Sequence, residues 1–270
     1  MNRAIGVIDS GVGGLTVAYE LMRQLPNEKI IYVGDTLRCP YGPRPKHEVI
    51  QFTKEIVNFL LTKNIKMIVV ACNTATAFAL EELKKELSIP VIGVIKPGAR
   101  AAIKVTKNNK IGIIGTEGTI NSKAYPQALL QINSELDVTA LACPLFVPMV
   151  EKGIVTGEQA KKVVEDTLNP LKNLNRIDTL ILGCTHYPLL ETTIQDVMGK
   201  TVQTISSSEE TARETSIILE INQLLYKNKR EPEHVFYTTG DIDIFKKIYL
   251  SLFKKNLCKV NNVKFEKIIL

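Results

Sequence analysis

Two cysteines, Cys72 and Cys184, stand in matched surroundings. Met67-Ile68-Val69-Val70-Ala71-Cys72-Asn73-Thr74 and Thr179-Leu180-Ile181-Leu182-Gly183-Cys184-Thr185-His186 share one plan: an apolar strand, a small residue, a cysteine, then hydrogen-bonding residues. Each puts a thiol at the carboxyl end of a strand, where open α/β sheets bind their ligands. A lone cysteine in an apolar strand reads as a small core residue. Two in matched settings, about one small domain apart, read instead as a pair facing a shared cleft. An unperturbed thiol titrates near roughly 8.5, close enough to neutral for one member to start as thiolate and the other as thiol. Such a pair can remove a proton from one face of a carbon and return one to the opposite face. A helix beginning just beyond the cysteine would favour the thiolate, and both positions are open to that placement.

Other polar groups gather at strand ends. Asp9-Ser10-Gly11-Val12-Gly13-Gly14-Leu15-Thr16 follows a strand and precedes a helix, so its backbone N–H groups are expected to approach an anion such as a carboxylate. Thr16 stands where a dinucleotide loop needs its third glycine, and no GK[ST] follows, which speaks against NAD and ATP. The loop Gly34 to Pro43 is explained as a turn by Gly and Pro alone, or functionally as a substrate-binding loop. Thr116 and Thr119, after the run Ile113-Ile114-Gly115, offer a hydroxyl-rich anchor of the same kind. His186, two residues from Cys184, and Asp9, at the end of the opening strand, are candidates to assist a thiol. His47 and His234 have no such neighbours and read as surface residues.

The elements that must position these groups alternate from the start. Ile5–Ile8, Ile30–Val33 and Lys66–Ala71 read as strands, and Leu15–Leu25, Val49–Leu61 and Ala75–Leu87 as helices, which is the pattern of βαβ units with a parallel sheet. Pro90–Val94 is a further strand, and Lys96-Pro97-Gly98 breaks the pattern. A second set follows, with strands at Ile111–Ile114, Thr139–Leu141 and Thr179–Leu182 and a helix from Gly157 to Leu168. Gln203–Ser208 reads as a second break, before a helix from Glu209 to about Tyr226.

The 270-residue chain with 45% hydrophobic residues is long enough for one large α/β domain or two modest ones. It has no signal-type h-region and no run near the roughly 20 apolar residues of a membrane span, so a soluble cytoplasmic protein is expected. The five cysteines form no CxxC pair and no zinc spacing with histidine, so reduced thiols and no metal are expected. The net charge of +6 is spread over solvated helix faces such as Leu83-Lys84-Lys85-Glu86. There is no nucleic-acid motif, and a positive field mildly favours a small anionic substrate.

With these motifs the chain resembles the glutamate racemase family of the aspartate/glutamate racemase superfamily. The matching segments are Asp9 to Gly14, Arg38-Cys39-Pro40-Tyr41-Gly42, Ala71-Cys72-Asn73-Thr74-Ala75-Thr76 and Gly183-Cys184-Thr185-His186-Tyr187-Pro188, in family order and spacing over nearly the whole chain. The resemblance implies a cofactor-independent enzyme that interconverts L- and D-glutamate and supplies D-glutamate for peptidoglycan. It implies Cys72 and Cys184 as the two proton donors and acceptors, Cys72 serving D-glutamate and Cys184 L-glutamate, with Asp9, His186 and Glu151 as helpers. Implied substrate contacts are Asp9, Ser10, Tyr41, Gly42, Asn73, Thr74, Thr185 and His186, beside the Thr116 and Thr119 anchor. The implied fold is two similar α/β/α lobes with mainly parallel sheets and the site between them. Residues 1–97 with 208–270 would form the first lobe and 98–207 an inserted second one, commonly in a homodimer. Lys96 stands where relatives commonly carry an acid, and Ser206-Ser207 where they often carry Asp-Ser, both at the expected lobe hinges. Rival readings are a racemase for aspartate or a hydantoin, a non-enzymatic partner-binding protein, and a redox protein.

Overall fold

A computed structural model describes residues 3–174, 177–254 and 262–270. Of the five cysteines, Cys258 lies outside the described residues. The first elements are β1 (Ala4–Asp9), α1 (Leu15–Gln24), β2 (Ile30–Gly34), α2 (Lys46–Leu61), β3 (Ile65–Val70), α3 (Asn73–Glu86) and β4 (Val91–Gly93). β1, β2 and β3 are buried at every position, so both faces of the sheet are covered and their runs stay apolar instead of alternating. Ile8, Val33 and Val70 are wholly buried in one core cluster, and each such side chain contributes about 1.5–3 kcal/mol over its exposed state. The exception in that run is Lys66, wholly buried and ion-paired to Glu28 at 2.6 Å.

The chain then runs through α4 (Ile95–Val105), β5 (Lys110–Gly115), α5 (Glu117–Asn121), α6 (Ala124–Ile132), β6 (Asp137–Ala142), α7 (Phe146–Glu151), α8 (Gly157–Leu174) and β7 (Thr179–Gly183). A 3-10 turn at Tyr187–Leu190, α9 (Glu191–Met198), β8 (Gln203–Ile205) and α10 (Ser208–Ile221) follow, and β9 (His234–Thr238), α11 (Ile242–Lys254) and β10 (Val263–Lys267) close the chain. Two parallel sheets result, ordered β10-β9-β2-β1-β3-β4 and β6-β5-β7-β8. Each carries helices and forms one α/β lobe. β9 pairs with β2 and β10 with β9, so the last segment returns to the first sheet.

Several expectations are corrected. Lys96-Pro97-Gly98 is no break but the first turn of α4, where a proline loses nothing because first-turn N–H groups have no partner inside the helix. Gln203–Ile205 is the short edge strand β8, too brief for an alternating pattern to reveal it. α10 stops at Ile221, before the expected Tyr226. His47 is exposed, but His234 is buried on β9, where its Nδ1 accepts the Ile30 N–H at 3.2 Å. Burial and the nearby Lys29 and Arg230 push its pKa down to about 4, so it is held neutral. Among the described residues no helix is long and apolar enough to cross a membrane.

Candidate active site

Cys72 follows β3 and caps α3. Its sulfur accepts the Ala75 N–H at 3.4 Å while its thiol donates to Ser10 Oγ at 3.6 Å. Cys184 follows β7 directly but caps no α-helix, contrary to the expectation that both thiols could be so placed. An α-turn there would need an N–H from residue 188 to the Cys184 carbonyl, and Pro188 has none to give. The chain instead makes the 3-10 turn, and α9 begins only at Glu191.

Both sulfurs line one enclosed cavity between the lobes. Ser10, Pro40, Tyr41, Gly42, Asn73 and Thr74 come to it from the first sheet's side, and Thr116, Val147, Thr185 and His186 from the second's. The cavity holds about 10 Å³, close to the room of one water, so an amino acid fits only if the groups lining it move apart. Close contacts keep it shut. An added Cβ at Gly42 would collide with Thr116, and one at Gly13 with Thr185 and His186. Thr74 Oγ1 lies 2.8 Å from Thr116 Oγ1 and 3.1 Å from Thr119 Oγ1, linking α3 to the start of α5. A larger groove of about 670 Å³ between α1, α4, β8 and α10 holds no thiol.

Asp9, Thr119 and Glu151 stand behind the cavity wall. The glycine-rich turn was expected to hold an outside anion, but its N–H groups already serve Asp9: Gly11 and Gly14 each donate to Asp9 Oδ2 at 3.0 Å, and Thr185 donates to Oδ1 at 3.2 Å across the lobes. Burial raises the Asp9 pKa, against the lowering effect of His186 and the two amides. Tyr41 borders the cavity, yet its hydroxyl donates to Asp35 Oδ2 at 2.6 Å and is not offered inward. Asp35 also accepts from Arg38 and Thr239, which anchors the Arg38–Gly42 loop.

The two thiols keep different company. Burial, then the charge of Asp9, pushes Cys72 up to about 12, so it is a thiol at neutral pH. His186 Nδ1 lies 3.8 Å from Cys184 Sγ, and its Nε2 lies 2.5 Å from Glu151 Oε1. Burial opposes charge on His186, but hydrogen bonds to Cys184, Cys39 and Glu151 outweigh it and lift its pKa well above the imidazole range. Glu151 is correspondingly lowered: burial acts upward, but its bond to His186 prevails. The pair is therefore imidazolium and carboxylate, with positive charge against the Cys184 sulfur.

Sequence reasoning missed four residues. Cys39 Sγ lies 3.7 Å from Glu151 Oε1, and Pro40 lines the cavity; both were visible inside the Arg38–Gly42 motif. Val147 lines it from α7 with nothing in the sequence to mark it. Tyr125 donates to Asn73 Oδ1 at 2.8 Å from α6, again without a local signal. Cys39, Glu151 and His186 also bring three possible metal-ligand atoms within 4.8 Å of one another.

Residues 5–215 match the Asp/Glu/Hydantoin racemase family. The glutamate racemase of Oceanobacillus iheyensis is 63% identical over 98% of this chain and 96% of its own. A solved glutamate racemase isoform from Bacillus anthracis superposes with a TM-score of 0.93 at 49% identity, covering 99% of this chain and 98% of that one. The Francisella tularensis glutamate racemase, solved in complex with D-glutamate, gives 0.88 at 36% identity, with 99% and 98% covered.

Proposed function

This chain belongs to the Asp/Glu/hydantoin racemase family and is an amino-acid racemase, an isomerase, and from that premise we propose that it interconverts L- and D-glutamate through the thiols of Cys72 and Cys184. The observation that carries the two-thiol reading is that both sulfurs line one enclosed cavity from opposite lobes. An α-carbon held there has one sulfur on each face.

With L-glutamate bound, Cys184 as thiolate takes the α-proton, and the planar carbanion receives a proton on its other face from the Cys72 thiol. Cys184 ends as thiol and Cys72 as thiolate, the state that accepts D-glutamate for the reverse reaction. The imidazolium of His186 lies against the Cys184 sulfur and, with Glu151, can pass a proton to and from it. Asp9 fixes Thr185 and the glycine turn that carries Ser10. Hydroxyls of Ser10, Thr74, Thr116 and Thr185 and the Asn73 amide are the groups available to the two carboxylates. Catalysis without pyridoxal phosphate is part of this proposal.

The strand order supports a first lobe that carries β1–β4 with β9 and β10 and an inserted lobe that carries β5–β8. We further assign the enzyme to the cytoplasm, as a homodimer that supplies D-glutamate to peptidoglycan. Incubation of the pure protein with L-glutamate, L-aspartate and L-alanine, followed by optical rotation, tests the substrate: rotation should vanish with glutamate alone. In deuterated water the product enantiomer should carry solvent deuterium while remaining substrate stays protiated early on. Substantial transfer of the substrate's own α-hydrogen into product would instead indicate a single swinging base.

A further inference from the structure

Asn73 is 3% exposed, lines the cavity beside Cys72 and, among the described residues, has no partner for its Nδ2. A buried amide with two free N–H bonds is costly unless something is there to accept them. Its Oδ1, by contrast, is occupied by the Tyr125 hydroxyl at 2.8 Å. An asparagine amide is nearly symmetric in shape, so only its partners decide whether nitrogen or oxygen faces the cavity.

The phenol could in principle act either way. Its single hydrogen could go to Asn73 Oδ1, or it could point elsewhere and leave the phenol oxygen to accept from a flipped amide. The bond runs from the Tyr125 hydroxyl to Asn73 Oδ1 and leaves Nδ2 as the atom without a partner, and Ser207 lies beside the phenol. Gly98 makes room for this chain, since an added Cβ there would lie 3.1 Å from both the Tyr125 hydroxyl and Ser207 Cβ. Gly98 and Ser207 belong to the two segments read from the sequence as breaks, and they converge on one tyrosine from α6.

We propose that Tyr125 is a positioning residue that holds the Asn73 amide with its nitrogen toward the cavity, where it donates to a carboxylate of the substrate. This rests on the glutamate reading for the identity of the carboxylate, but the amide orientation does not. Because the bond spans from α6 to the start of α3, the donor is in place only when the lobes are together. A flipped amide would offer oxygen to a carboxylate and repel it.

Tyr125→Phe keeps the ring and removes only the hydroxyl. The expected result is a KM for both enantiomers raised about tenfold with kcat within about threefold, since a donor that serves ground and transition states alike acts through KM. Asn73→Ala should add little in the Tyr125→Phe background, and Ser207→Ala should raise KM by a smaller factor than Tyr125→Phe. The side-chain amide signals of Asn73 in ¹⁵N-labelled protein give a readout independent of turnover: one well-defined pair in the wild type, shifted or exchange-broadened in Tyr125→Phe. Wild-type KM in a folded Tyr125→Phe, additive effects with Asn73→Ala, or an unchanged amide signal would each overturn the proposal. A wild-type protein inert toward glutamate whose Asn73 signal still responds to Tyr125→Phe would refute the glutamate reading and leave the orientation intact.

Discussion

Cys72 and Cys184 occupy equivalent strand ends in two parallel sheets, yet the groups around them differ in kind. Around Cys72 the contacts are a backbone amide and a serine hydroxyl, with Asp9 as the nearby charge, and the thiol stays protonated. Around Cys184 stands a buried imidazolium backed by the Glu151 carboxylate. The same contrast extends to two histidines, one from each lobe: His234 in the first sheet is buried neutral, and His186, just past β7 of the second, is buried charged. Repeating a strand-end thiol therefore repeats position alone. Charge is assigned separately, by residues that each lobe brings from elsewhere in its chain.

The strongest test asks whether both halves are needed at all. Cys72→Ala and Cys184→Ala should each lower racemisation by about 10²–10⁴-fold, the contribution of a positioned acid or base, with circular dichroism unchanged. Retention of more than about a tenth of wild-type activity by either, a barrier change under ~1.4 kcal/mol, would break the pairing.

A finer test separates the halves. His186→Asn should lower kcat/KM by about 10–100-fold, and equally in both directions because enantiomers have equal free energies. If Cys184 serves L-glutamate, as proposed, the asymmetry should appear in the α-deuterium isotope effect, which should grow for L-glutamate and change little for D-glutamate. Equal growth for both would show that His186 is not confined to one face.

The histidines should also give opposite pH dependences of stability, read from urea midpoints. His234 has a folded pKa of about 4 against roughly 6.5 unfolded, so as pH falls the unfolded chain takes the proton first. Stability is complete above about pH 6.5 and is lost toward pH 4, by on the order of 3 kcal/mol, and His234→Asn should remove most of that loss. His186 has a raised folded pKa, so its contribution is complete below about pH 6.5 and is lost as pH rises through the raised value, a slope His186→Asn should abolish.

The smallest effect concerns the Cys72 side. Since the Tyr41 hydroxyl is committed to Asp35, Tyr41→Phe should cost about 1–1.5 kcal/mol of stability while KM for glutamate stays within about twofold. A large rise in KM would show that the hydroxyl turns inward when substrate binds.

Much of this was legible in the residues. Fully buried parallel strands have no polar face, so β1, β3 and β7 stand out as largely apolar runs without alternation, and the cysteine after each of the last two is thereby placed at a sheet's carboxyl edge. β8 was read as a break because three residues carry no period, and Pro97 as a terminator because its harmless place in a first turn is indistinguishable by type from a harmful one. The glycine turn reads as a nest for an outside anion, but two of its N–H groups are taken by the Asp9 carboxyl of the same segment.

Local pattern, then, determined most of the strands and that two thiols end them, because burial and backbone periodicity act on neighbours in sequence. Tertiary structure alone decided that Glu151 charges His186, that Tyr41 turns away, that His234 is buried neutral, and that Tyr125 holds Asn73. Those outcomes depend on which polar group lies within about 3 Å of another and how far water is excluded from both, and neither distance nor solvent access is carried by residue type or spacing along the chain.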